Sequence, residues 1–194
     1  MYIPNMVTDP PPRLAAKRRQ YEASDALRLT LPEPSALREA TRAFEAALAM
    51  GESPPVLAAG ERLLGVLATH YNVPTPPLRV LGLRPHRVVE GQLAYELFGD
   101  YSPDSQRIRI WTRTARLGRV TSFRGLLSTL LHEFCHHLDV RALGFVATPH
   151  TRGFFHRIDG LYHLALDTPP EKRRPLVWIA SGRVFRIDWR RLRS

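Results

Sequence analysis

The chain has one cysteine among 194 residues. That excludes an internal disulfide and any zinc ribbon built from several cysteines, and it suits a reducing compartment. No apolar run approaches the roughly 20 residues that a membrane-crossing helix needs. The opening MYIPNMVTDPPP lacks the apolar stretch of a secretion signal, so a cytoplasmic location without a membrane partner is expected. Acidic residues are also scarce: 18 stand against 28 lysines and arginines, for a net charge of +10. The excess is local. Residues 171–194 carry eight basic and two acidic side chains, net +6, so this end reads either as a contact for nucleic acid or as a solubilising tail.

What remains is ordinary for a globular domain, with 44% hydrophobic and 24% charged residues. The prolines are uneven: six of the 17 fall in residues 1–34, which show no sustained periodicity and read as a flexible Pro-rich arm, largely disordered or loosely docked. A folded domain is expected over residues 35–170. It should open with a helix from Ser35, burying Leu37, Ala40, Phe44, Ala47 and Leu48 and stopping before Gly51. A second helix after Pro54 and Pro55 should run to Tyr71 and bury Leu57, Leu63, Leu64 and Leu67.

From Leu78 the pattern turns to short β-like runs: Leu78 to Leu83, Val88 to Phe98, and Arg107 to Thr112. In the third, Ile108 and Ile110 alternate with Arg107, Arg109 and Trp111, so one face should meet the core while the other presents arginine and an aromatic. Residues 171–194 look like a basic hairpin turning at Ser181 and Gly182, with Trp178, Phe185 and Trp189 among its arginines.

The chemistry concentrates between Thr121 and Leu143. This stretch contains His132-Glu133-Phe134-Cys135-His136, the pattern H-E-x-x-H. The pattern needs a helix, because only there do residues four apart stand above one another so that two imidazoles reach one ion. The flanks supply it. Ser122 is a good N-cap, and Phe123, Leu126, Leu127, Leu130, Leu131, Phe134 and Leu138 recur at helical spacing. His132, His136 and Asp139 fall on the opposite side with Gly125, Ser128 and Thr129. Two neutral imidazoles suit Zn²⁺, and Glu133 is the expected general base that takes a proton from a metal-activated water and passes it to a leaving amine. His137 reads as a core histidine and Cys135 as a packing residue.

A catalytic zinc usually keeps three protein ligands and one open position. Asp139, His150, His156, Asp159 and His163 are the candidates for the third. A helix is expected from Pro149 to Asp167, capped by Thr148, with Phe154, Phe155, Ile158, Leu161, Tyr162 and Ala165 inward. On that helix His150 lies at the edge of the apolar arc while His156, Asp159 and His163 face away, so His150 is preferred. Asp139 suits a supporting role, orienting an imidazole.

Taken in order, the strand Arg107-Ile108-Arg109-Ile110, the run Leu130 to His136 and the segment His150-Thr151-Arg152-Gly153-Phe154 resemble SprT-like zinc metallopeptidases, in which a helical H-E-x-x-H is followed by a third histidine in H-x-x-x-F. The resemblance covers residues 58–166. It implies His132, His136 and His150 as zinc ligands and Glu133 as base. It also implies a compact α+β, zincin-like domain, in which a small, mostly antiparallel sheet packs on helices that include the metal helix and a strand edge takes a peptide. Many members carry a four-cysteine ribbon, in whose place this chain has its basic tail. The expected function is a zinc-dependent endopeptidase acting on a protein or peptide. The alternative is a nucleic-acid-binding protein with a structural or vestigial zinc.

Overall fold

The computed structural model describes residues 6–90, 92–146 and 150–193. Its architecture is α+β. Helix α1 (Ala15–Ala26) is followed by α2 (Pro34–Ala49) and α3 (Ser53–His70), each of the latter two opening with proline in its first turn, where the missing N–H has no helical partner to lose. The buried positions of α2 include the five expected ones, and Gly51 follows in the left-handed region at φ 75°. Helices α2 and α3 pack on each other, α2 on α5 (Arg152–Ala165), and α3 on the sheet. Burying a Leu or Phe fully contributes about 1.5–3 kcal/mol, and Leu37, Phe44, Leu63, Leu64 and Leu67 are all 0% exposed.

The main sheet is smaller and more mixed than expected. Strand β1 (Leu78–Leu83) pairs in parallel with β5 (Arg107–Arg113), which pairs antiparallel with β4 (Gly99–Ser102). The single strand expected over Val88 to Phe98 divides. Residues His86–Val89 (β2) and Gln92–Glu96 (β3) form a separate hairpin, Glu90 entering the left-handed region at φ 52°, and the chain then continues into β4. Because β4 and β5 reverse direction and β1 adds to the far side of β5, the central strand carries one parallel and one antiparallel neighbour. Ile108 and Ile110 of β5 meet the core at 0% exposure, whereas Arg107 and Arg109 are exposed. Trp111 departs from the alternation: it is only 5% exposed, with the Arg109 guanidinium 5.6 Å from its ring, and so it offers no open aromatic.

Helix α4 (Phe123–Leu138) lies against β4, β5 and α5. Ser122 caps it, its hydroxyl accepting from Gly125 N at 3.2 Å. It ends in a wider π-type turn, Asp139–Leu143, closed by Gly144 in the left-handed region. Helix α5 begins later than expected, at Arg152 with Thr151 as its cap; Thr148 and Pro149 lie outside the described residues. The hairpin β6 (Trp178–Ser181) and β7 (Val184–Ile187) turns through Gly182 and Arg183, and α6 (Trp189–Arg193) follows. Among the described residues no helix is long and apolar enough to cross a membrane.

The described part of the N-terminal segment is not the loose arm expected from its prolines. Met6 is 1% exposed, Val7 bridges to Arg186 of β7, and Thr8 N donates to Phe185 O at 2.8 Å. Helix α1 packs on α5. Proline density hides this because the docking uses backbone pairing and isolated side chains, which leave no periodicity in the sequence.

One buried ion pair ties these pieces together. Arg157 of α5 is fully buried and donates to both Asp139 oxygens, at 2.8 and 3.0 Å, and to the Ser24 carbonyl at 2.9 Å. Burial pushes the Asp139 carboxyl above its ordinary value, opposed by the guanidinium beside it. Asp139 thus holds an arginine rather than the imidazole expected of it. Replacing Asp139 by Ala strands a buried guanidinium, so stability should fall by about 3–5 kcal/mol, read as a lower urea midpoint at unchanged slope; a loss under about 1 kcal/mol would show the pair to be dispensable.

Candidate metal centre

Helix geometry delivers the first two imidazoles. One turn apart on α4, the Nε2 atoms of His132 and His136 lie 3.0 Å from each other. His150 arrives from the extended residues before α5, its Nε2 3.2 Å from that of His132. The three ligand atoms all lie within 4.8 Å of one another, and they are positioned to hold a metal ion. Ligands roughly 2.0–2.1 Å from a tetrahedral ion sit about 3.3 Å apart, so the donor set fits such an ion with little movement. The rings are also in the right charge state. Burial pushes His132 down to about 3, assisted by His150, and lowers His136 in the same way, so these two imidazoles are neutral and keep lone pairs for a cation. One N–H···N hydrogen bond satisfies a single pair of neutral rings but not all three nitrogens at once, whereas a shared cation satisfies them together.

Aromatic rings fix the imidazole planes. His136 stacks on Phe154 at 4.5 Å between centroids, His150 on Phe155 at 5.9 Å, and His132 meets Phe154 edge-on at 5.0 Å. The turn that carries His150 is held from behind by α1. Thr151 Oγ1 accepts from Phe154 N at 3.0 Å and lies 3.0 Å from Ser24 Oγ, while Arg152 N donates to the Asp25 carboxylate at 2.8 Å. Gly153 permits this approach, since a Cβ there would stand 2.0 Å from the Ser24 carbonyl oxygen. On the other ring nitrogen, His150 Nδ1 lies 3.3 Å from Asp9 Oδ2, and His150 N donates to the same oxygen at 3.1 Å. These hydrogen bonds hold the Asp9 carboxyl below its ordinary value against the opposing effect of burial.

Glu133 is 6% exposed and its carboxyl is pushed up to about 8, mainly by burial and further by Asp100. Strand β4 runs close over it: a Cβ on Gly99 would stand 2.5 Å from Thr129 Cγ2 and 3.2 Å from Glu133 Cγ. The polar face of α4 is therefore partly roofed by a strand, and Ser128 and Thr129 are buried instead of lining an open cleft. The remaining candidates lie elsewhere. His156 Nε2 accepts from Trp178 Nε1 at 3.3 Å, and His163 pairs with Asp159 at 3.3 Å. His137 is 0% exposed between Tyr101 Oη and the Pro74 carbonyl, and Cys135 is a buried free thiol that burial raises well above its ordinary pKa.

Sequence reasoning misses Asp9 and Phe155 as parts of this site. Asp9 is 141 positions from His150, in a Pro-rich stretch that shows no periodicity. The spacing of Phe155 assigns it to the core, and nothing in that spacing marks it as a platform for an imidazole. Comparison of the chain with protein-family models, with curated proteins and with solved structures finds no match.

Metal content separates the ligands from the bystanders. His150→Ala should lose the bound metal under mild chelation, whereas His156→Ala should retain the wild-type stoichiometry by elemental analysis. Retention of metal by His150→Ala with wild-type affinity would remove that histidine from the centre.

Proposed function

We propose that the chain is a zinc-dependent endopeptidase that resembles the SprT-like metallopeptidases and adopts a zincin-like arrangement. The observation that carries this reading is the convergence of three Nε2 atoms, at 3.0 and 3.2 Å, beside a buried carboxylate one residue along the same helix. Three imidazoles without a thiolate or carboxylate favour zinc and leave a fourth position for water or substrate. A zinc ion bound there would supply Lewis acidity, lower the pKa of a water towards neutrality and favour the ionised form of neighbouring Glu133.

Glu133 accepts a proton from the attacking water and returns it to the amine nitrogen as the peptide C–N bond breaks. Water's oxygen ends on the new carboxylate, and the proton ends on the amine. Among the described residues β4 pairs only with β5, so its other edge is left without a strand partner, and its first residue, Gly99, lies over Glu133. An extended substrate segment would pair along that edge. Asp139 and Arg157 act only as support for the end of α4.

Glu133→Gln keeps the size of the side chain but cannot accept the proton. Metal content should remain as in wild type while hydrolysis of an unstructured protein substrate falls by about 10²–10⁴-fold. Cleavage at the wild-type rate by a fully metallated Glu133→Gln protein would refute the base assignment.

A second reading, a nucleic-acid-binding protein with a structural zinc, draws on a concavity lined by Arg79, Arg107 and Arg109 with Ser102 and Ser105. Arg109 is bound there to Asp100, Trp111 is buried, and Trp178 and Phe185 are half-buried against other side chains. Trp178 packs on Phe155, and Phe185 lies against the Arg152 guanidinium at 4.3 Å. What is left is charge. Binding of a single-stranded oligonucleotide should then weaken steeply with salt, and Arg79→Ala with Arg107→Ala should lower the log–log salt slope by about 1.5. No mobility shift even at low salt would sink this reading.

A further inference from the structure

We infer that Asp9 is the positioning residue of the metal centre, so that residues 6–9 form a strap which the centre needs to hold its ion. The inference rests on the three-histidine reading of the site and extends it to a part of the chain with no pattern of its own. His150 stands outside any helix, so neither α4 nor α5 fixes its ring rotation through backbone geometry. Besides its stacking on Phe155, the ring meets Asp9, which is tied to the His150 backbone by two hydrogen bonds. Asp9 N donates to the His150 carbonyl at 2.7 Å, His150 N donates to Asp9 Oδ2 at 3.1 Å, and Nδ1 of the ring lies 3.3 Å from the same oxygen.

A carboxylate on Nδ1 holds the proton on that nitrogen. Nε2 is then left with its lone pair directed at the other two histidines. Asp9 meets the ring on the edge away from Nε2, so the strap supports His150 without occupying the point where the three nitrogens meet.

Asp9 is itself held from two sides. Upstream, Thr8 N donates to Phe185 O at 2.8 Å, Phe185 N donates to Thr8 Oγ1 at 2.8 Å, and Ile187 N donates to Met6 O at 3.3 Å. Tyr21 Oη of α1 donates to the Asp9 carbonyl at 3.0 Å. The basic C-terminal hairpin therefore has a structural role, since β7 is the strand on which the strap is laid. Ile187, 3% exposed, anchors that strand in the core.

The test is a zinc competition titration against a chelator on the full chain, run beside the cobalt(II) absorption spectrum and the melting of the metal-free protein. Asp9→Ala should bind zinc 10–100-fold more weakly than wild type. Asp9→Asn has the same shape and keeps one acceptor but no charge. It should fall between the two and alter the cobalt spectrum while melting within a few degrees of wild type. A purely structural strap would leave the Asp9→Asn affinity and spectrum unchanged, and that result overturns the inference, as does zinc affinity in Asp9→Ala within twofold of wild type. If the wild type binds no metal, both this inference and the peptidase reading fail. If it binds metal and only the Asp9 effect is missing, the peptidase reading stands alone.

Discussion

The constraint on which the rest depends is that the third imidazole must be brought to a helix that already carries two. His132 and His136 need nothing but the α-helical repeat to face one point. His150 needs a chain segment held at a fixed distance and rotation with no regular structure of its own. Much of the long-range hydrogen bonding serves that end. Ser24 and Asp25 approach the turn through the gap left by Gly153, Arg157 joins α1 and α5 to the end of α4 through Asp139, and Asp9 closes on His150 itself. The three-histidine cluster thus lies where residues 6–9, themselves paired with β7, meet α4 and the start of α5.

Legibility in the sequence follows the range of the interaction. Interactions within one helix or strand leave a period, and a period can be read. The five buried positions of α2, the 78–83 strand, the Ser122 cap and the apolar arc of α4 all occupy their expected places. The helical phase that favours His150 in the sequence does not apply to it, since α5 begins only at Arg152 and His150 stands before it in extended chain. Asp9, the Asp139–Arg157 pair and the burial of Trp111 are not legible. Each depends on a partner far away in the chain or on what covers a face, and a single sequence records neither.

The same distinction explains the mixed sheet. Alternation of apolar and polar residues fixes which face of β5 is buried, and Ile108 and Ile110 obey it. It does not fix the direction of a neighbour. The antiparallel partner β4 is set by the short turn through Gln106 at φ 53°, whereas β1 adds to the other side of β5 in parallel, with residues 84–98 lying between β1 and β4 in the chain.

Gly99 shows how the sheet and the site constrain each other. A side chain there would collide with Thr129 and crowd Glu133, so β4 can lie on α4 only because its first residue lacks a Cβ. That closeness has two effects. It removes Glu133 from water, which raises its carboxyl to about 8, and it sets the face of β4 at Gly99 over that side chain. A cation held by the three histidines would favour the ionised form of Glu133 that burial opposes. Burial thus acts on both kinds of side chain here: it lowers His132 and His136 and raises Glu133 one residue along the same helix.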